Sequence, residues 1–476
     1  MDIDAFRRQA HGMVDWMAEY LETVERYPVR AQVVPGEIAA RLPTAPPAGP
    51  EPMERIFADF QADILPGITH WQHPSFFAFF PANASPPSVL AEMLTATLGA
   101  NCMLWQTSPA GTELETRMME WLGRMIGLPD GFYGVIQDTA SSASLCALLT
   151  ARERATGWRA NEAGLGALGA EGVRLAAYVS EEAHSSIEKD AMIAGYGREG
   201  LRKIAAGDDF AMRVDALEQA VAADLAAGIT PACVVATLGT TGVGGMDPLR
   251  PIAELCRRHG IFLHVDAAWA GSALILPEHR GMIDGVELAD SFVFNPHKWL
   301  FTNFDCSAHF VRDPEALTRT LSVTPLYLQS RETGQVIDYR DWGVPLGRRF
   351  RALKLWFVIR AYGVEKLKTM IADHIAWAGE LSEQIAAAPD FELMAPLSLG
   401  LVNFRYHPAG RDDESALDAL NQRLLEQLND SGRLYLTQNR VKGRYAIRFS
   451  IGQTATTRAH VQRAWGVIRE AAAASG

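Results

Sequence analysis

An α/β fold, with a mostly parallel sheet under a cover of helices, is what this sequence predicts, and three observations carry the prediction. Short apolar runs alternate with stretches of helical periodicity through the middle of the chain. These runs are apolar along both faces, as strands buried between two helical layers must be. Polar residues collect just beyond the runs, which is where ligands sit in open parallel sheets.

Taken in order, Ala5 to Val24 places Phe6, Ala10, Met13, Met17, Tyr20, Leu21 and Val24 at roughly helical spacing, with Arg7, Arg8, Glu19 and Glu22 away from them. A helix with one sticky face must pack on something. The Pro-rich LPTAPPAGPEPMER follows as a linker, so the N-terminal piece reads as an arm lying on a neighbouring domain, a partner subunit or its own chain. A second helix carries Leu114, Met118, Met119, Leu122 and Met125, with Thr112xxGlu115 as a capping-box start and Gly127 and Pro129 at its end. Strands are expected at Val135 to Gln137, Leu175 to Ser180, Cys233 to Gly239, Ile261 to Ala268, Ser291 to Pro296 and Ala308 to Val311, with helices such as Val214 to Ala226 and Leu249 to His259 between them. Phe350 to Tyr362 leads into helical patterns at 364–388, 414–430 and 457–472, mixed with the strand-like LVNFRYH and RYAIRFSIG. The expected division is a helical arm over 1–85, a large domain over 86–362 and a small α+β domain over 363–476.

Composition narrows the function. The 476 residues are 48% hydrophobic and 21% charged, the profile of a soluble globular protein. No apolar run is long enough for a membrane span and the acidic N-terminus lacks a signal-peptide core, so a cytoplasmic protein is expected. Five cysteines without CxxC spacing suit reduced thiols. His70 and His73 in HWQH lack further spaced ligands, so no metal is expected. A net charge of −12 with bases interleaved among acids argues against nucleic acid. Small-molecule chemistry is left as the leading class.

Lys298 stands in FVFNPHKWLF, among aromatic and aliphatic residues, where an unpaired ammonium is costly to bury. Either it reaches water or a site uses it. DTASSAS, with hydroxyls at Thr139, Ser141, Ser142 and Ser144 ahead of a helix, has the makings of an anion site, because free N–H groups and the helix dipole favour negative charge there; simple N-capping needs only one of the four. Asp266 ends the HVDAAWAG strand, where a carboxylate caps a helix or pairs with a buried cation. Lys298 follows Asp266 by one strand–helix–strand span, so all three features converge on one sheet edge. A desolvated lysine that forms a Schiff base, a carboxylate that holds a pyridinium proton and a phosphate-binding helix terminus are the three attachments of pyridoxal 5'-phosphate.

NPHKWL, LHVDAAWAGSA, VATLGTTG, AHSSIEKDAMIAG, SPAGTELE, HPSFFAFFPA and PLGRRFRALKLWF stand in the order found in the aromatic-L-amino-acid decarboxylases, group II pyridoxal-phosphate enzymes, and the chain resembles that family over essentially its whole length. The resemblance implies a fold-type-I enzyme with a seven-stranded sheet, and a homodimer with shared active sites whose N-terminal arm wraps the partner. It makes Lys298 the cofactor lysine, Asp266 the partner of the pyridine nitrogen and His184 the imidazole stacked on the ring, with Ala268 on the opposite face. Thr139, Ala140, Ser141, Asn295 and His297 would surround the phosphate, with Thr241 near the ring. Tyr327, in the polar, glycine-containing LSVTPLYLQSRETGQVIDYRDW, matches the family's proton-donating tyrosine on a mobile loop. The implied reaction is decarboxylation of tryptophan, tyrosine, phenylalanine or DOPA to the arylalkylamine.

On the substrate side the resemblance points to Trp71, Phe79, Pro81, Ala82, Asn101, Met103 and Gly347. Phe79 and Ala82 replace the tyrosine and threonine of the animal pattern, so two hydroxyls are missing. Asn101 and Met103 replace more apolar or aromatic residues, and Gly347 leaves room for a large ring. The related aromatic aldehyde synthases, which also remove the amine with oxygen, are the first rival; the family ties that switch to loss of the loop tyrosine or the stacking histidine, and Tyr327 and His184 are both present. Decarboxylases of non-aromatic substrates would need a cation for a second carboxylate, a part open to Arg348 or Arg349, although LGRRFRALKLW reads more simply as a solvated helix with surface ion pairs. A pyridoxal-binding regulator or inactive structural dimer is the rival from a different class.

Overall fold

In the computed structural model, the described residues are 1–323, 328, 331–332 and 334–475. Among them, β1 (Tyr133–Gln137), β2 (Leu175–Ser180), β3 (Leu201–Ile204), β4 (Thr230–Thr237), β5 (Phe262–Asp266), β6 (Ser291–Phe294) and β7 (Ser307–Val311) form one sheet in the order β1-β7-β6-β5-β4-β2-β3. The pairs joining β3, β2, β4, β5 and β6 are parallel. Strand β7 is antiparallel to both β6 and β1, so β1 runs in the common direction again. The carboxyl ends of β1, β2, β4, β5 and β6 therefore share one edge.

The double-sided apolar pattern accounts for the central strands. Every residue of β5 and β6, and all of β4 beyond Thr230, is buried. The expected strands are all present, but β3 was not foreseen: LRKI has two cations in four residues and only its ends are buried, as suits a charged edge strand. The helices that matter below are α1 (Ile3–Thr23), α2 (Pro86–Leu98), α3 (Pro109–Ile126), α4 (Ala140–Ala155), α5 (Ser185–Ile193), α6 (Val214–Ala226), α7 (Leu249–His259) and α8 (Arg351–Ala387).

Two compact units divide the chain differently from the three-part expectation. One comprises Ala82–Ala378 with Ala395–Leu401 and holds the seven-stranded sheet; the other comprises Met1–Pro81, Gly379–Met394 and Val402–Gly476. The arm and the C-terminal segments thus belong to one unit. The boundary is expected between 362 and 363; the units instead divide within α8 between Ala378 and Gly379, and Gly363, a non-helical residue (φ 69°, ψ 160°), is a kink inside the sheet unit. In the N-terminal unit, Trp16 packs edge-on against Phe57 and Phe60, and the Tyr20 hydroxyl lies 2.7 Å from His70 Nδ1. That helix therefore covers part of its sticky face with its own chain, although Ile3, Phe6 and Val14 stay exposed.

Two local expectations are corrected. Ser108, not Thr112, caps α3, accepting from the Gly111 N–H at 3.2 Å. Glu115 is buried inside that helix, accepting from the Ile136 N–H at 2.8 Å and from Arg348 at 2.6 Å. LGRRFRALKLW is likewise no solvated face. Arg348 and Lys354 are buried, with Lys354 Nζ 3.0 Å from Glu92 Oε1, while Arg351 meets Asp305 at 2.8 Å. The carboxylates that take up these cations lie far away in sequence, which is why helical spacing alone suggested a wet surface.

Candidate active site

Lys298 is the third residue of a single helical turn, Pro296–Trp299, entered directly from β6. It is half-buried, whereas its neighbours His297 and Trp299 are buried. Asn83 clamps the turn: its N–H donates to the His297 carbonyl at 3.0 Å and its Nδ2 to the Lys298 carbonyl at 2.7 Å. His297 Nδ1 accepts from the Cys306 N–H at 2.9 Å, and Asn295 Oδ1 accepts from the Ser307 hydroxyl at 2.6 Å. Burial, then the nearby Lys298 charge, pushes the His297 imidazole down to about 3, so it is neutral. Trp299 stacks on Trp269 with ring centroids 5.2 Å apart and donates Nε1–H to His374 Nδ1 at 3.0 Å, which fixes the back of the turn.

Asp266 is the last residue of β5 and is buried, with Oδ1 accepting from the Ala268 N–H at 3.0 Å. Ala268 packs with Ala140, Ala143 and Val293, which ties the start of α4 to the ends of β5 and β6. Thr139 caps α4, its hydroxyl accepting from the Ser142 N–H. Ala140 and Ser141 open the helix, where the first N–H groups have no partner within it.

His184 caps α5, four residues beyond β2, with Nδ1 accepting from the Ser186 N–H at 3.2 Å. Partial burial and then the Lys298 charge lower its pKa, while Asp266 opposes them. Lys298 and Asp266 thus both lie within electrostatic reach of His184. A neutral imidazole whose Nδ1 accepts carries its proton on Nε2. Thr241 is exposed in the loop after β4, on the same sheet edge. Tyr327 lies outside the described residues.

The substrate-side residues form two groups. In the sheet unit, the Asn101 Oδ1 accepts from the Arg348 N–H at 3.0 Å, the Cys102 N–H donates to the Arg348 carbonyl at 2.9 Å and the Arg340 N–H to the Met103 carbonyl at 3.0 Å. Asn101, Met103 and Gly347 are therefore brought together. A Cβ at Gly347 would approach Asn101 Nδ2 only to 3.7 Å, so the glycine keeps space open rather than relieving a clash. Ala82, at the start of that unit, is half-buried. In the other unit, Trp71 stacks on Phe79 with centroids 5.7 Å apart, and both are exposed. Phe79 has φ 53°, a left-handed backbone uncommon for an aromatic residue, and Arg448 donates to its carbonyl. Pro81 is buried nearby in sequence. His70 and His73 are engaged locally, His70 with Tyr20 and His73 Nδ1 with the Ser75 N–H.

Sequence reasoning missed Asn83, although it lies within the quoted HPSFFAFFPANAS. It also missed a buried chain beneath the sheet edge: Ser144 Oγ to His264 Nε2 at 3.0 Å, His264 Nδ1 to Ser291 Oγ at 2.9 Å, and Ser291 Oγ to His309 Nε2 at 2.8 Å. The alternation of polar residues along β5 to β7 was the only available signal.

These residues fit pyridoxal 5'-phosphate. A helix N-terminus flanked by hydroxyls suits its phosphate, a buried carboxylate its ring nitrogen, an imidazole its ring face and Lys298 its aldehyde carbon.

Residues 35–407 match the pyridoxal-dependent decarboxylase conserved domain. The chain is 42% identical to phenylacetaldehyde synthase of Arabidopsis thaliana, covering 99% of this chain and 96% of that one. It is 41% identical to tyrosine decarboxylase 1 of Narcissus pseudonarcissus, covering 100% and 93%. Among solved structures, Oryza sativa TDC with PLP and tryptamine superposes with a TM-score of 0.95 at 36% identity, covering 100% of this chain and 99% of that one.

Proposed function

Because the chain belongs to the pyridoxal-dependent decarboxylase family, within its aromatic-amino-acid branch, we propose that it removes the carboxyl group of an aromatic L-amino acid as carbon dioxide and releases the arylalkylamine. The observation that carries this reading is the convergence of Lys298, Asp266, His184 and the start of α4 at one edge of one sheet. Pyridoxal phosphate supplies an electron sink for the pair left when the Cα–carboxylate bond breaks.

The chain's own residues do the rest. Lys298 would hold the cofactor at its aldehyde carbon. Asp266 keeps a proton on the ring nitrogen, and because it is buried and already oriented by the Ala268 N–H, little reorganisation is needed when charge develops. His184 covers one face of the ring and can donate from Nε2, while Ala268 is small enough to leave the other face flat. Thr139, Ala140, Ser141, Asn295 and His297 hold the phosphate, and Thr241 lies beside the ring. Tyr327 delivers the proton to Cα. Asn101, Met103 and Gly347, with Trp71, Phe79, Pro81 and Ala82, contact the substrate side chain. Tryptophan, tyrosine, phenylalanine and DOPA are the proposed substrates.

A homodimer with shared sites belongs to this reading. Its support is the surface left open on each unit: Leu90, Leu94 and Leu98 form an exposed stripe on α2, and Ile3, Phe6 and Val14 stay exposed on α1. No helix among the described residues is long and apolar enough to cross a membrane. A cytoplasmic setting is proposed.

The similarity to a phenylacetaldehyde synthase supports a second reading, decarboxylation coupled to oxidative loss of the amine. Incubation with each of the four amino acids and with glutamate, quantifying amine, aldehyde, peroxide and carbon dioxide, separates the two. Amine equal to carbon dioxide is the expected result; peroxide and aldehyde matching carbon dioxide would establish the synthase. Tyr327→Phe is expected to move product from amine towards aldehyde.

A further inference from the structure

Asp190 takes no part in the chemistry above, yet it is placed as few carboxyls are. It lies on α5 six residues after His184, on the helix face that also buries Ile187 and Ala191. Only 3% of it is exposed, and its Oδ2 is buried without a hydrogen-bond partner. A carboxylate in that position is costly to ionise. It sits past the middle of a nine-residue helix, too far along for the positive end of the dipole to help.

The groups that face it are few. Asp266, from β5, opposes its ionisation, and Lys189, on its own helix, favours it. Cys146, from α4, also feels Asp190, and burial first of all pushes that thiol up to about 12, so it remains neutral. Burial, with Asp266 second, pushes Asp190 up to about 7. Asp266 differs in having an N–H donor, from Ala268 at 3.0 Å. Of two neighbouring carboxyls, the one without a donor takes the proton.

We propose that Asp190 is a positioning residue of the cofactor site, a buried carboxyl beside Asp266 that carries the proton of the pair and so leaves Asp266 ionised towards the pyridine nitrogen. The inference rests on the reading that Lys298 and Asp266 hold pyridoxal phosphate. Below its midpoint Asp190 is neutral and adds no charge beside Asp266. Above it a second negative charge appears, and every proton held on the cofactor's nitrogens is bound more tightly.

The test is a pH titration of the visible absorbance of the purified holoenzyme, wild type against Asp190→Asn, which keeps the shape and cannot ionise. The wild type is expected to show an inflection between about pH 6 and pH 8 that the Asn variant lacks. In the variant, the remaining transition at higher pH should move down, with proton affinity reduced about two- to tenfold. A purely structural role would lower stability and leave these midpoints in place, so superimposable titrations overturn the proposal. If the variant does not fold, the wild type decides alone, since a titration with no inflection in that window overturns it equally. Absence of any visible band in the wild type would overturn both this inference and the cofactor reading, whereas a band with a flat titration overturns only the role of Asp190.

Discussion

Two lysines sit in nearly matching sequence, PHKWLF around Lys298 and ALKLWF around Lys354, and the protein treats them in opposite ways. Lys354 is the more deeply buried, with no exposed surface, in the middle of an α8 turn that presents Ala352 and Leu355 to the core. Its charge is answered by Glu92, 3.0 Å away. Lys298 is only half-buried and stands at a strand end among Asp266, His184 and a helix terminus. Depth of burial therefore does not mark the working lysine. What marks it is a position at the parallel-strand edge, with groups around it that suit a ligand.

Breaking each environment should expose the contrast. The largest effect is expected from Asp266→Asn, which removes the charge that holds the ring proton: turnover should fall by about a thousandfold, with thermal stability nearly unchanged. A stability loss without a rate effect per folded molecule would contradict the assignment. Lys354→Ala should do the reverse, costing about 3 kcal/mol in denaturant unfolding because Glu92 loses a buried cation, while the visible band per folded molecule persists. The effect falls at the lower end for a buried pair because Arg349 also reaches Glu92.

A smaller effect is set by pH. Burial holds His309 at about 3, and burial with Lys298 second holds His297 there as well; burial foremost lowers His264 too. In the unfolded chain these rings take up protons below about pH 6.5, and in the folded protein only much lower. Stability from them is fully present above about pH 6.5 and should fall by about 1.4 kcal/mol per pH unit for each ring as the pH drops towards 3. Melting curves between pH 7 and pH 5 check this, and a midpoint that rises on acidification would refute it. Smallest is Ser144→Ala, which leaves His264 Nε2 without its partner at 3.0 Å and should cost about 1 kcal/mol.

The same contrast explains what could be read from sequence. The strands of the sheet were legible because β4, β5 and β6 are apolar on both faces, and Lys298, Asp266 and the DTASSAS hydroxyls were legible because polar residues interrupt that pattern only at strand ends. Arg348 and Lys354 were misread because their partners, Glu115 and Glu92, are more than two hundred residues away and no local rule connects them. Asp190 escaped notice for a related reason. On a helix that also carries Glu188 and Lys189, one more charged residue looks like surface until the fold turns it inward.

The central claim is that Lys298, and not the more buried Lys354, carries the cofactor. Purified Lys298→Ala, measured beside Lys354→Ala for visible absorbance and for amine formation from aromatic amino acids, tests it most directly. The account predicts that the Lys298 variant folds but loses both the visible band and turnover, while the Lys354 variant keeps the band in its folded fraction. A Lys298→Ala protein with an unchanged visible spectrum would contradict it.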